Sequence, residues 1–182
     1  MLNEDQRRRL LKLARESIEA VLEGRVPERS ADEFDGDLRR PAGTFVTLRT
    51  QDGDLRGCIG SIRAHEPLYR AVISSAINAA FRDPRFLPVR RDELPELELE
   101  ISVMGPIEPV ERIEEIEVGR DGLILSRGRF AGLLLPQVAT EYRWDRETFL
   151  DQTCIKAGMR PGSWRERDCT IEKFSAEVFG EE

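Results

Sequence analysis

The chain has 182 residues, of which 40% are hydrophobic and 35% are charged, and its formal net charge is −7. This length fits one domain, or one domain with a small appended lobe, and the composition is that of a folded globular protein. The acidic balance argues against a general binder of nucleic acid or of anionic membranes.

Cysteine and histidine usage narrows the chemistry further. The three cysteines, Cys58, Cys154 and Cys169, lie far apart, and the acidic N-terminus lacks the apolar segment of a signal peptide. No apolar run approaches the length of a bilayer span, so we predict a reduced, cytoplasmic setting. His65 is the single histidine. One chain therefore cannot build a His-rich metal site, and we predict no metal site.

The N-terminal region predicts a helix followed by a long surface loop. Asn3 and Gln6 have the spacing of a capping box, apolar residues recur at helical spacing from Leu10 to Leu22, and Gly24 can end the helix. The loop spans residues 24–42, and loops of this length often serve as lids or binding elements.

A β-hairpin is predicted next, from extended runs at residues 43–50 and 55–62. Asp52-Gly53 between them is typical of a hairpin with a type I′ turn. Gly57 and Gly60 flank Cys58 in the second strand, which indicates a bulge or a close approach by another backbone or a ligand.

Two further segments carry charged residues that are candidates for a functional site. A helix from Pro67 is stopped by Asp83-Pro84, so Asp83 and Arg85 lie in a loop, where they pair with each other or face a cleft. Residues 97–104 alternate as a strand with Glu98, Glu100 and Ser102 on one face. The two glutamates are about 7 Å apart, which suits paired carboxylates, and a solvent-facing row is the alternative.

The C-terminal half predicts a second hairpin at residues 122–126 and 129–135, a short helix, and a helix that starts at Asp145 and ends at Gly158. A final strand over residues 170–179 is expected to point Phe174 and Val178 inward. Hairpins without β-α-β units predict an α+β fold with a mostly antiparallel sheet and flanking helices.

Several of these segments, in this order, resemble the AMMECR-type domain family, whose prokaryotic members are called AmmeMemoRadiSam system protein A. The segments are Leu55-Arg56-Gly57-Cys58-Ile59-Gly60, residues 43–48, Asp83-Pro84-Arg85-Phe86, residues 98–103, residues 135–139 with Glu141 and Trp144, and Lys156-Ala157-Gly158. The resemblance implies a single AMMECR-type domain over residues 1–182, with a major lobe and a smaller lobe. It implies no particular reaction or cofactor, and the cofactor is therefore left unknown.

The resemblance also implies partners, and the chain departs from the family pattern at one position. Family members are associated, by gene fusion or neighbourhood, with Memo-like and radical-SAM-like proteins, which implies a shared pathway such as a modification reaction. Many members carry Gly-Arg-His-Gly where this chain has Gly119-Arg120-Asp121-Gly122. The carboxylic acid at this position is a much stronger acid than an imidazolium ion. A mechanism that requires imidazole there is therefore in doubt for this chain.

We predict a polar cleft around Cys58. The candidate catalytic residues are Cys58, Asp83, Glu98 and Glu100, and the candidate ligand-binding residues are Arg56, Gly57, Gly60, Arg85, Ser102 and Gln137. Arginines would clamp a phosphate or carboxylate, and carboxylates would accept protons. The alternative is a buried ion-pair network that stabilises the fold, with Cys58 as a small buried thiol.

Two functional classes stay open. In the first, the chain is an enzyme or enzyme subunit that acts on a small molecule, a nucleotide or RNA. In the second, it is a non-catalytic adaptor or binding module for the Memo-like and radical-SAM-like partners. The enzyme hypothesis predicts that Cys58 lies in an open pocket and is alkylated fast. The adaptor hypothesis predicts an inert Cys58 and an exposed apolar patch elsewhere.

Overall fold

The computed structural model describes residues 1–181, which form two compact units. The first unit comprises Met1–Met104 and the chain from Glu177 onward, and the second comprises Gly105–Ala176. No helix in the described part of the chain has the length and apolarity needed to cross a membrane.

Five α-helices and six β-strands are described. The helices are α1 (Glu4–Leu22), α2 (Gly36–Arg39), α3 (Leu68–Phe81), α4 (Pro136–Glu141) and α5 (Arg146–Lys156). The strands are β1 (Thr44–Thr50), β2 (Leu55–Ser61), β3 (Leu97–Pro109), β4 (Asp121–Arg127), β5 (Phe130–Leu134) and β6 (Thr170–Gly180). They follow the order β2-β1-β3-β6-β4-β5 in an antiparallel sheet, which confirms the predicted α+β class.

The first unit is built on the hairpin β1–β2 and on β3. Val46 and Leu48 of β1 lie opposite Ile101 and Leu99 of β3, and all four side chains are almost fully buried. They share a core with apolar residues of α1 and α3. Burial of several aliphatic side chains of this size contributes about 2 kcal/mol each before entropy costs. This core therefore fixes which face of the hairpin points to α3.

The start of the chain follows the prediction closely, and the hairpin turn does not. The capping box of Asn3 and Gln6 is formed in both directions. In the turn only Gly53 has a positive φ, of 86°, so Asp52 does not adopt the type I′ conformation. The turn is closed instead by the Gly53 amide, which donates to the carbonyl of Thr50.

The long loop contains local structure that the sequence pattern did not indicate. A 3₁₀ turn and the one-turn helix α2 lie within it, and Phe34 and Leu38 are buried. Phe34 stacks on the ring of Tyr69 at a centroid distance of 4.3 Å. The loop is thus anchored on α3 by an aromatic pair.

The final strand β6 departs from the predicted facing. Phe174 is buried as expected, but Val178 is exposed, and its neighbour Phe179 packs against the core of the first unit. Ile171 packs against the core of the second unit, so the face predicted to be outward carries apolar contacts at both ends of the strand. Simple alternation assumes one buried face, whereas β6 has partly buried apolar residues on its other face as well.

The second unit has its own core. The hairpin β4–β5 contributes Leu123 and Leu125, and α5 contributes Phe149, Leu150 and Cys154, all of them fully buried. The predicted cap of α5 is confirmed, because the Asp145 carboxylate accepts a hydrogen bond from the Thr148 amide.

Gly57 brings β2 against α3. A Cβ atom at this position would lie 2.3 Å from the carbonyl oxygen of Ala79, which is far below any allowed contact. The predicted close approach is therefore by another backbone.

We expect Gly57→Ala to lower the free energy of unfolding by about 3 kcal/mol, because α3 must move off the strand. Gly36→Ala is the matched control, since a Cβ there meets nothing within 4 Å. Urea denaturation of both variants measures the difference. Equal, small losses would show that the contact is not tight.

Candidate functional site

Strand register places the thiol and the acidic strand on one face of the first unit. Cys58 of β2 lies opposite Thr47 of β1, which lies opposite Glu100 of β3. Residues directly opposite in antiparallel strands project to the same side of the sheet. Because Gly57 faces α3, Cys58 faces away from it. We name this set the thiol face, and its members are Phe45, Thr47, Cys58, Glu98, Glu100 and Ser102.

The sulfur of Cys58 has a specific partner on this face. The hydroxyl of Thr47 donates a hydrogen bond to Cys58 Sγ at 3.2 Å. Thr47 is buried, whereas Cys58 is half-buried and lies outside the hydrophobic core of the first unit. The sulfur is therefore not part of the aliphatic core, and the Thr47 hydroxyl fixes its position on this face.

The carboxylates of the thiol face differ in exposure. Glu100 is half-buried and stands in the same cross-strand row as Cys58, about 10 Å away by the spacing of two strands. Glu98 is exposed, and Ser102 is buried. Glu100 is thus the carboxylate best placed to act on a group bound beside the thiol.

Asp83 and Arg85 contact the backbone of Cys58 rather than its sulfur. The Asp83 carboxylate accepts a hydrogen bond from the Cys58 amide at 3.0 Å, and Arg85 Nη2 donates to the Cys58 carbonyl at 3.3 Å. Since β2 is the edge strand, these two side chains occupy the backbone groups that a neighbouring strand would pair with. We name this pair of contacts the edge clip.

The carboxylate of Asp83 is held in its ionised form. Arg85 donates to it from Nε and Nη2 at 2.9 and 2.7 Å, and the Arg85 amide donates at 3.1 Å. The side chain is only 1% exposed. The hydrogen bonds from Arg85 and from the Cys58 amide hold the pKa of Asp83 far below its ordinary value, although burial acts in the opposite direction. Such a carboxylate is a weak base at neutral pH.

Arg56 is directed away from the thiol. The β1–β2 register shifts between Leu48 and Arg49, which leaves Arg56 as the extra residue of a bulge, as the glycine pair indicated. Its guanidinium donates to Glu93 at 3.1 Å and to the Leu87 carbonyl at 2.9 Å. The Phe86 ring centroid lies 5.8 Å from its Cζ, a cation–π geometry. Arg56 thus joins β2 to the segment after the edge clip.

The remaining candidates lie elsewhere. A Cβ atom at Gly60 would come within 2.1 Å of the Thr44 carbonyl, so this glycine is required by the hairpin itself. Gln137 is an exposed residue of α4 and belongs to the second unit. The structure of the first unit therefore brings together Cys58, Glu98, Glu100 and Ser102 by register, with Asp83 and Arg85 at the strand edge.

Thr47 is the residue that sequence reasoning missed. The alternation of residues 43–50 already places Phe45, Thr47 and Arg49 on the face opposite Val46 and Leu48. That signal identifies the face of Thr47, but not its cross-strand partner, which depends on the register.

Asp121 has a structural position in the second unit. Its carboxylate accepts hydrogen bonds from the Glu117 amide at 2.9 Å and from Arg120 Nε at 2.8 Å. Burial would raise the pKa of Asp121, but the hydrogen bonds from Arg120 and the Glu117 amide lower it overall. This carboxylate braces the turn before β4. Within residues 1–181 no group of three or more His, Cys, Asp or Glu side chains is arranged to hold a metal ion.

These features define a two-unit α+β protein with an antiparallel sheet and a thiol in a glycine-flanked edge strand. The family model described as AMMECR1 matches residues 11–179, and the chain belongs to that family. The resemblance seen in the motifs is thereby confirmed.

Relatives and a solved structure agree with this assignment. A protein of Thermococcus gammatolerans is 48% identical over 95% of this chain and 89% of its own length. A protein of Methanothermobacter thermautotrophicus is 45% identical over 100% and 97% of the two chains. The crystal structure of the uncharacterized protein PH0010 from Pyrococcus horikoshii superposes with a TM-score of 0.85 at 44% identity, covering 95% of this chain and 90% of that one. None of these names states a reaction.

The edge clip predicts a defined pH dependence. Asp83→Asn removes the charge and should lower the free energy of unfolding by about 2 kcal/mol at neutral pH. Because the pKa of Asp83 is depressed in the folded state, this difference is complete above about pH 4 and is lost as the pH falls through the folded-state pKa. Urea denaturation across this pH range measures it.

Asp92→Asn is the matched control, because Asp92 pairs with Arg90 at the same sequence spacing but with both side chains at least 70% exposed. It should change stability little at any pH. Equal effects of the two substitutions would show that the edge clip adds nothing to an ordinary surface ion pair.

Proposed function

We propose that this chain is an enzyme, or the thiol-bearing subunit of one, in which Cys58 acts as a nucleophile on the thiol face. The observation that carries the proposal is the hydrogen bond from the buried Thr47 hydroxyl to a half-buried sulfur outside the core. A structural cysteine packs against apolar groups, as Cys154 does in the second unit.

Each nearby group has a role in this proposal. Thr47 stabilises the thiolate, and Glu100 accepts a proton from a group bound between it and the sulfur. Ser102 and Glu98 line the same face and would orient that group. Asp83 and Arg85 are positioning residues, because they hold the backbone of Cys58 and leave the sulfur accessible.

We extend the proposal to the pathway and the substrate class, which the geometry of the thiol face does not identify. We propose a modification pathway shared with Memo-like and radical-SAM-like proteins, which the family resemblance implies. The substrate class stays a small molecule, a nucleotide or RNA.

A non-catalytic adaptor is the second candidate, and one observation favours it. Leu87 is 82% exposed in the segment that follows the edge clip, where a docking partner would cover it. In the adaptor, Cys58 is structural and Leu87 belongs to the contact surface.

We expect Cys58 to react with iodoacetamide at pH 7 at least about tenfold faster than Cys169, measured by mass spectrometry of tryptic peptides. Cys169 is the internal control, because it is also half-buried while burial raises its pKa. Cys154 should stay unmodified, because it is fully buried and burial raises its pKa as well.

Thr47→Val tests the hydroxyl directly. It keeps the shape of the side chain, and it should slow alkylation of Cys58 about fivefold and leave Cys169 unchanged. A Cys58 that reacts no faster than Cys169 would overturn the nucleophile proposal.

Complementation of a strain that lacks the gene separates the two candidates. Cys58→Ala should abolish function and leave the melting temperature within about 2 °C if the thiol does chemistry. Function that survives Cys58→Ala but is lost in Leu87→Asp would favour the adaptor.

A further inference from the structure

A small cavity lies between strand β2 and helix α3, on the side opposite the thiol face. Its volume is about 160 Å³, and Gly60 and Ser61 of β2 line one wall. Ser74, Ser75 and Asn78 of α3 line the other. These helix residues lie within four positions of one another and so share one side of α3. Ile59, Ala42 and Ala71 also line it, so the cavity combines hydrogen-bonding groups with an apolar wall.

Ser75 has an unused hydroxyl in this cavity. The residue is only 7% exposed, and its hydroxyl has no hydrogen-bond partner within residues 1–181. The other buried helical hydroxyls bond to their own helix: Ser17 donates to the Leu13 carbonyl at 2.6 Å and Thr153 to the Phe149 carbonyl at 2.7 Å. Among residues 1–181, the buried side-chain nitrogen and oxygen atoms that lack a partner comprise Arg56 Nη1 alone, so the Ser75 hydroxyl is not sealed in the protein. It opens onto the cavity and is free to bond to a ligand there.

Two opposite charges line the same cavity without pairing. Arg63 and Glu66 both contribute to its wall, and neither forms an ion pair with any charged residue among 1–181. Arg63 is exposed and Glu66 is half-buried, and His65 lines the same cavity. A cation and an anion held apart in one small cavity match a ligand that carries both charges.

A larger cleft adjoins the cavity. Its volume is about 460 Å³, and Glu66 and Ser74 line both spaces. The cleft extends along α3 past Tyr69 and Ile73 to the long loop, where Pro27 forms part of its wall. It offers mixed polar and apolar surface for the variable part of a ligand.

We propose that this cavity binds a free α-amino acid. The carboxylate would contact Arg63 and the Ser75 hydroxyl, the ammonium group would contact Glu66, and the side chain would extend into the adjoining cleft. A purely anionic ligand is disfavoured, because Glu66 would face it at the shared wall. The proposal is independent of thiol chemistry, since Cys58 projects to the opposite face of β2.

The test is a ¹H–¹⁵N NMR titration of the full chain with glycine, L-serine, L-leucine and L-glutamine in turn, supported by calorimetry. At least one of them should produce saturable shifts at the amides of Gly60, Ser74, Ser75 and Asn78. Acetate and methylammonium carry one charge each and should bind at least about tenfold more weakly.

Two variants and two controls localise the binding. Arg63→Gln should weaken it at least about tenfold and Ser75→Ala about fivefold. Arg167→Gln removes an exposed arginine of the second unit, and Ser17→Ala removes a buried helical hydroxyl, and both should leave the affinity unchanged. The Cys58→Ala protein should bind as well as the unmodified one, which separates this test from that of the thiol.

Three results would overturn the proposal. The first is the absence of saturable shifts with every amino acid. The second is a set of shifts that maps outside the cavity. The third is acetate binding as tightly as the amino acids, because the contact between the ammonium group and Glu66 would then contribute nothing to affinity.

Discussion

The hydrogen bonds from Asp83 and Arg85 to the backbone of Cys58 are the constraint on which the first unit depends. An edge strand carries backbone groups that must be satisfied or covered, and here one carboxylate and one guanidinium do both. The same contacts tie the end of α3 to β2, where Gly57 already meets the helix backbone. Side-chain chemistry and backbone packing therefore fix the position of Cys58 together.

This constraint assigns the predicted polar groups to different tasks. The sequence suggested one cleft in which arginines clamp a ligand and carboxylates move protons. In the structure, the buried Asp83 carboxylate is occupied by Arg85 and by the Cys58 amide, whereas the Arg85 side chain is 53% exposed. Arg56 binds Glu93, although its Nη1 is buried without a partner. Of the predicted acids, Glu98 and Glu100 of β3 are therefore the ones available beside the thiol. A group that is fully hydrogen-bonded stabilises the fold, whereas a group with spare capacity is available to a substrate.

The sequence predicted the elements well and their partners poorly. The capping box of Asn3, the stop at Asp83-Pro84 and the alternation of β3 are local signals, and each appears in the structure. The hydrogen bond between Thr47 and Cys58 depends on strand register, which no local pattern contains. The predicted facing of Val178 was wrong for a related reason, because β6 also packs partly buried apolar residues on the face that was predicted to be outward. Both the hydrogen bond and the facing of Val178 depend on contacts between segments that are distant in sequence.

The two proposed sites make opposite demands on strand β2, and its alternation meets both. On the α3 side the strand touches the helix at Gly57 and borders the cavity with Ile59 and Ser61. On the other side it must present Cys58 next to Thr47. Damage to the edge clip would disturb both faces, since they share one backbone. A substitution at Thr47 affects the thiol face alone, and one at Arg63 affects the cavity alone. The reactivity of the thiol and ligand binding in the cavity can therefore be changed separately.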